Sequence, residues 1–175
     1  MSNIQFTQGL ILPKAKGTVT HELNRIGTTR YSAYISENET EVLVAGSYVE
    51  RDVTAAGSKN TIKVKRASAT TPADLVYMVV RSGPADDFEF ENVVDKIEPN
   101  SRTKDNVSII QLNGIHFLNE VANVVGINNI LMINNTDTTR STLIPYVNNG
   151  TNIPLVRAEA ETTASGQIIS LKTIK

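Results

Sequence analysis

Two histidines and one run of carboxylates are the residues of this chain best suited to chemistry. His116 stands four residues before Glu120. On a helix the two would share a face, giving an imidazole held by a carboxylate, as in a general base. No nucleophile accompanies them, so a partly buried structural histidine is the stronger reading. His21-Glu22 begins like the helix of a zinc protease, but no second histidine follows four residues after the first, and zinc there would lack ligands. Asp86, Asp87, Glu89, Glu91 and Asp95 lack the offsets and central glycine of a calcium loop. They alternate with Phe88 and Phe90, which reads as a strand with an acidic, solvated face, or as an interface if a basic surface meets it.

Other constellations are missing from the sequence. There is no phosphate-cradling glycine loop ending in Lys-Ser/Thr, no Gly-x-Gly-x-x-Gly after a strand and no Gly-x-Ser-x-Gly elbow. Lys59, Lys63, Lys65 and Arg66 form the densest basic group. Without interleaved aromatics they suit a strand edge or an acidic neighbour better than nucleic acid. The Asn-x-Ser/Thr triplets at Asn38, Asn106, Asn134 and Asn149 reflect loops rich in Asn and Thr. The expectation is a protein with no catalytic, cofactor or metal site.

The elements that would position any site read mostly as strands. Residues 42–50 form one, broken or bulged at Gly46. Residues 61–66 alternate, with Ile62 and Val64 opposite Lys63 and Lys65. Residues 75–81 are continuously apolar, as in a strand covered on both faces, by core on one side and by core or another subunit on the other. Further strands are expected at 107–112, 130–133 and 167–174. The segments 143–147 and 153–157, with Pro145 and Pro154, suit edge strands. Residues 115–125 are the one helix candidate, with Leu118, Val121, Ala122 and Val125 at helical spacing and Gly126 as its stop. Asn113-Gly114 and Asn149-Gly150 mark tight turns. Loops fall at 36–41, 98–106 and 134–142.

The fold class expected is mainly β: a β-sandwich or β-barrel-like domain with one short helix and an extended N-terminal arm. Residues 1–34 read as that arm or as first strands. Residues 35–175 form the β-rich domain, with 83–154 a candidate inserted subdomain. The 175 residues carry a net charge of -1 and a pI near 6.1, so electrostatics favours neither nucleic acid nor an anionic membrane. There is no cysteine for disulfides or thiolate metal sites. No signal-peptide pattern opens the sequence and no apolar run could span a bilayer. Synthesis in a cytoplasm is the expectation.

Two stretches share a pattern of small residues, glycine and a strand bearing lysine. They are Ala55-Ala56-Gly57 running to Lys65, and Ala164-Ser165-Gly166 running to Lys172. Around them stand Gly46-Ser47-Tyr48-Val49, Ala67-Ser68-Ala69-Thr70-Thr71-Pro72-Ala73-Asp74, the strand Val76-Tyr77-Met78-Val79-Val80-Arg81-Ser82, and Arg157-Ala158-Glu159-Ala160. Together these segments resemble the capsid decoration (structural cement) proteins of tailed bacteriophages, over residues 42–82 and 155–175. The middle of the chain is longer than small members of that family need, and so is the N-terminal region.

The resemblance implies a small β domain on the outer surface of an icosahedral head, commonly trimeric, bound to the major capsid protein and reinforcing the expanded shell. No cofactor, nucleic acid or membrane belongs to that role. Within it, Ile4, Phe6, Leu10, Ile11 and Leu12 are the candidate capsid anchors. Leu75, Val76, Tyr77, Met78, Val79 and Val80 are the candidate oligomer interface, with a wholly intramolecular core strand as the alternative. A second class stays open: a β-rich tail, head-fibre or glycan-recognition module. Five tyrosines and no tryptophan count against the glycan binder.

Overall fold

The computed structural model describes residues 16–22, 30–80 and 106–174. The proposed anchors Ile4, Phe6, Leu10, Ile11 and Leu12 and the acidic strand around Phe88 lie outside the described residues.

The strands are β1 (Thr18–Glu22), β2 (Arg30–Ile35), β3 (Tyr48–Arg51), β4 (Lys63–Arg66), β5 (Val76–Val79), β6 (Asn106–Gln111), β7 (Ile115–Val121), β8 (Ile130–Ile133), β9 (Thr142–Pro145), β10 (Val156–Ala158) and β11 (Gln167–Thr173). They close into two barrels, so the mainly β, barrel-like expectation holds. The first barrel runs β2-β4-β3-β5-β6 and is closed by the β2–β6 ladder, with β2 and β4 parallel. In the second, β7-β11-β10-β8-β9, a short parallel pairing of β9 with the end of β7 closes the ring. β1 lies antiparallel along the first half of β7. The chain thus contributes β1 to the second barrel's sheet, builds the whole first barrel, and returns.

The apolar run at β5 follows from this arrangement. Alternate residues of a strand face opposite ways. Val76, Met78 and Val80 join Phe117, Leu131, Leu143 and Leu171 in one shared cluster. Val79 joins Ala33, Val49, Val64 and Ile109 inside the first barrel. β6 divides in the same way, with Ile110 and Leu112 in the shared cluster and Val107 and Ile109 inside. The β5–β6 wall is therefore apolar on both faces because the second barrel packs against it.

Two expectations are corrected. Residues 115–121 form β7, with Ile115, Phe117, Asn119 and Val121 buried and the residues between them half-buried. The period is two, and a polar residue at the buried position 119 disguises it. Flanking strands also supply this segment with ladder hydrogen bonds on both edges. Among the described residues the one helical element is a 3-10 turn, Ala73–Leu75. Gly126 ends no helix; its N–H donates to Asn129 Oδ1 at 2.9 Å within a turn. Nor are β9 and β10 edge strands, since each pairs on both sides. Their prolines are tolerated because Pro145 is the last residue of β9 and Pro154 precedes β10.

Candidate interaction surface

The two barrels meet at a tightly fitted seam. Gly17 has φ +73°, and a Cβ there would lie 2.6 Å from Gly46 N and 2.9 Å from Val79 O. Only glycine fits a left-handed backbone pressed this closely onto its neighbours. Gly46 N donates to Val79 O at 2.8 Å, and Gly17 N to Leu118 O at 3.0 Å. Beside them the buried Asn119 Nδ2 donates to Gly46 O at 2.9 Å and to the Tyr48 hydroxyl at 2.7 Å. Burial pushes the Tyr48 hydroxyl far above the usual phenol range, against the opposing hydrogen bond from Asn119. It stays protonated across the physiological range.

The β8–β9 loop clamps the same seam. Burial works to raise the Asp137 carboxyl, but hydrogen bonds from Thr139, Thr142 and Ser141 outweigh it and hold the group below its ordinary range. Arg140, at φ +52°, donates from its guanidinium to the carbonyls of Asn134, Asn135 and Asp137. So fixed, the loop reaches the first barrel: Tyr48 N donates to Arg140 O at 2.9 Å, Ser47 Oγ to Thr139 O at 2.7 Å, and Arg66 Nη1 to Thr138 O at 2.8 Å. Lys16 forms an ion pair with Glu120 beside the junction, within the second barrel's sheet.

On the first barrel, three members of the dense basic group, Lys63, Lys65 and Arg66, are matched by the barrel's own acids. Lys63 Nζ lies 2.7 Å from Glu37, and Arg66 Nε lies 2.9 Å from the buried Glu39. Lys65 faces Glu50 in the β3–β4 register, and its Nζ lies 3.9 Å from Glu50 and 3.8 Å from Asp52. Asp52 is fully buried and accepts from Ser36 Oγ at 2.6 Å, Thr54 Oγ1 at 2.7 Å and Asn38 Nδ2 at 2.9 Å. Desolvation would raise this carboxyl, but those hydrogen bonds outweigh it and hold it well below the usual carboxylate range. The acidic neighbour expected for these cations is intramolecular.

The second barrel's outer face differs. The β7–β11–β10–β8 register sets His116 opposite Lys172, Lys172 opposite Arg157, and Arg157 opposite Ile130. His116 Nδ1 lies 2.8 Å from Glu159 Oε1, and Ser170 Oγ donates to Glu159 Oε2 at 2.7 Å. Burial raises the Glu159 carboxyl, but the hydrogen bonds from Ser170 and His116 outweigh it, so it stays ionised at neutral pH. Glu159, not Glu120, is the partner of His116: on a strand, four residues span about 13 Å. The carboxylate stands between hydroxyl and imidazole, so the imidazole cannot take the hydroxyl proton as a nucleophilic triad requires. Among the described residues no three His, Cys, Asp or Glu side chains gather as metal ligands. The β1–β7 register also places His21 opposite His116.

Of the six residues assigned to an oligomer interface, Val76, Met78, Val79 and Val80 are buried within this one chain. Tyr77 is half-buried, its ring edge-on to Tyr31 at 5.9 Å between centroids. Leu75 is exposed at 52%. Covering β5 needs no second subunit, which is the intramolecular alternative. Large exposed apolar side chains elsewhere are Val53 on the first barrel and Val124, Ile127, Ile130 and Val147 on the second. Sequence reasoning missed Asn119, Gly17 and the cationic row. An asparagine within the alternation Ile115, Phe117, Val121 was the available signal for the first.

No protein-family model matches the chain, and no curated protein matches it significantly. Among solved structures it is similar to the head fiber gp8.5 N base of bacteriophage phi29. The TM-score is 0.50 at 12% identity, over 85% of this chain and 98% of that one. The likeness is one of fold, and it spans nearly all of that structure.

Proposed function

We propose that this chain is a non-enzymatic structural protein of a phage virion, carried on the outer surface of the head and held there by the major capsid protein. The observation that carries this reading is the fold likeness to a phage head-fibre base, which covers 85% of this chain. The segment resemblance to capsid decoration proteins supports the same reading of a phage head protein. The polar side chains support it as well. Asn119, Asp137, Asp52 and Glu159 are spent on seams, loops and ion pairs, which is what a scaffold requires.

Within this reading the protein cements adjacent capsomers as a trimer, gaining avidity from weak contacts repeated by symmetry. A second reading, the base of a head fibre, is favoured by the neighbour itself. Both attach to the head, and they differ in what the outward end carries. The test is light scattering on the purified protein, then sedimentation with empty expanded heads and melting of those heads. A trimer that pellets with heads and raises their melting temperature fits the cement. One that pellets and leaves the melt unchanged fits the fibre base. A monomer that ignores heads overturns both.

A further inference from the structure

We infer that the outer row of the second barrel, running from the largely covered His116 through Lys172 and Arg157 to Ile130, is a docking surface for an acidic protein segment. On the reading proposed above, on which this identification of the partner rests, that segment belongs to the capsid shell protein.

The row is built by register. Its members are cross-strand neighbours on four adjacent strands, at about 4.5–5.5 Å between successive Cβ atoms. Their direction is fixed by what they alternate with: Ile115 and Phe117 in β7, Leu171 and Thr173 in β11, and Val156 and Ala158 in β10 are all buried. Like charges set directly opposite one another in a sheet are destabilising. On the first barrel the comparable lysines face carboxylates. Here the side chains of Lys172 and Arg157 make no hydrogen bond or ion pair among the described residues. The carboxylate that attracts Lys172 is Glu159, which already accepts from Ser170 and His116. The juxtaposition is therefore a cost to the isolated fold that an anionic partner would relieve.

The row does not end in charge. Ile130 continues it and is 39% exposed. Tyr146 N donates to Ile130 O at 2.9 Å, and the exposed Ile127 and Val147 lie within three residues of Ile130 and one of Tyr146 in sequence. Cations leading to a small apolar platform match a segment with carboxylates at one end and an apolar side chain at the other. Nucleic acid fits less well. Two permanent cations beside a carboxylate, on a chain of net charge -1, give little of the phosphate-tracking charge such binding needs.

The experiment compares the full chain with the double variant Lys172→Gln/Arg157→Gln, with Lys59→Gln as a control cation on the first barrel. Wild type and control should pellet equally with empty heads, and the double variant at least tenfold more weakly, with its melting temperature unchanged or raised. Carbodiimide coupling of the wild-type complex should join Lys172 to an Asp or Glu of the shell protein. Equal pelleting by the double variant overturns the row while leaving the head reading standing. Coupling of Lys172 to a second copy of this chain overturns the assigned partner. Should wild type ignore heads, the head reading fails and the row is judged by titration with the peptide Asp-Asp-Phe-Glu-Phe-Glu. Binding lost in the double variant sustains an acidic-segment site. No binding, or tighter binding of a single-stranded oligonucleotide of equal charge, overturns it.

Discussion

The first barrel meets three of its cations with its own carboxylates, Lys63 with Glu37, Lys65 with Glu50 and Asp52, and Arg66 with Glu39. The second barrel, with the same strand number and the same shared core, lines up Lys172 and Arg157 beside His116, and among the described residues neither the Lys172 nor the Arg157 side chain has an ion-pair partner. One surface is electrostatically closed and the other open. Because the barrels share a core through β5 and β6, the difference does not reflect how well each is folded. It separates charge used to hold a barrel together from charge left to meet something else.

Four substitutions would break or sharpen that comparison. The largest effect is expected at the seam. Gly17→Ala must place a methyl against Gly46 N and Val79 O in a left-handed backbone, and should cost about 3–5 kcal/mol. Denaturant unfolding should lose its single transition if the seam alone couples the barrels. A loss below about 1 kcal/mol would mean that the seam is loose. Asn119→Ala comes next. It strands Gly46 O and the Tyr48 hydroxyl and should cost about 2–3 kcal/mol, readable in the same titration.

Asp52→Asn tests the closed barrel and should cost about 1–2 kcal/mol at pH 7. The folded-state pKa of Asp52 is depressed below its unfolded value. Its stabilisation is therefore fully present above the ordinary carboxylate range and is lost as pH falls through that range towards the folded pKa. The gap between wild type and variant should narrow on going from pH 7 to pH 3, and a constant gap would refute the assignment. The smallest effect is expected at Gly57→Ala, where φ is +71° but nothing lies within 4 Å of the new methyl. Backbone strain alone should cost about 1 kcal/mol. Set beside Gly17, it measures how much of the seam's sensitivity is packing.

Much of the strand content was legible in the sequence. The alternation of Lys63, Val64 and Lys65 and the runs at 107–112, 130–133 and 167–174 correspond to β4, β6, β8 and β11. β7 was not, because Asn119 sits where an apolar residue would have completed Ile115, Phe117 and Val121, while Leu118 and Ala122 add a misleading helical period. Two barrels were out of reach for a different reason. The rings depend on the β2–β6 ladder and on the parallel contacts Tyr34 with Lys63 and Glu120 with Thr142, which join segments with no local signature of pairing. The cationic row was equally hidden: Arg157 and Lys172 become neighbours only through the β10–β11 register, and His116 only through β7–β11.

β1 and β7 belong to one sheet, yet all the first barrel's strands lie between them in the chain. During synthesis the five strands of the first barrel emerge before residues 115–118, the partners of β1, leave the ribosome. The nascent chain can thus complete one barrel while Thr18–Glu22 waits unpaired on its flank. The second barrel then has two ends to gather, and joining distant segments is the slow, entropically costly step of β folding. A ribosome stalled once residue 112 has cleared its exit tunnel should carry a finished first barrel, and release of the remainder should fold against it as a template.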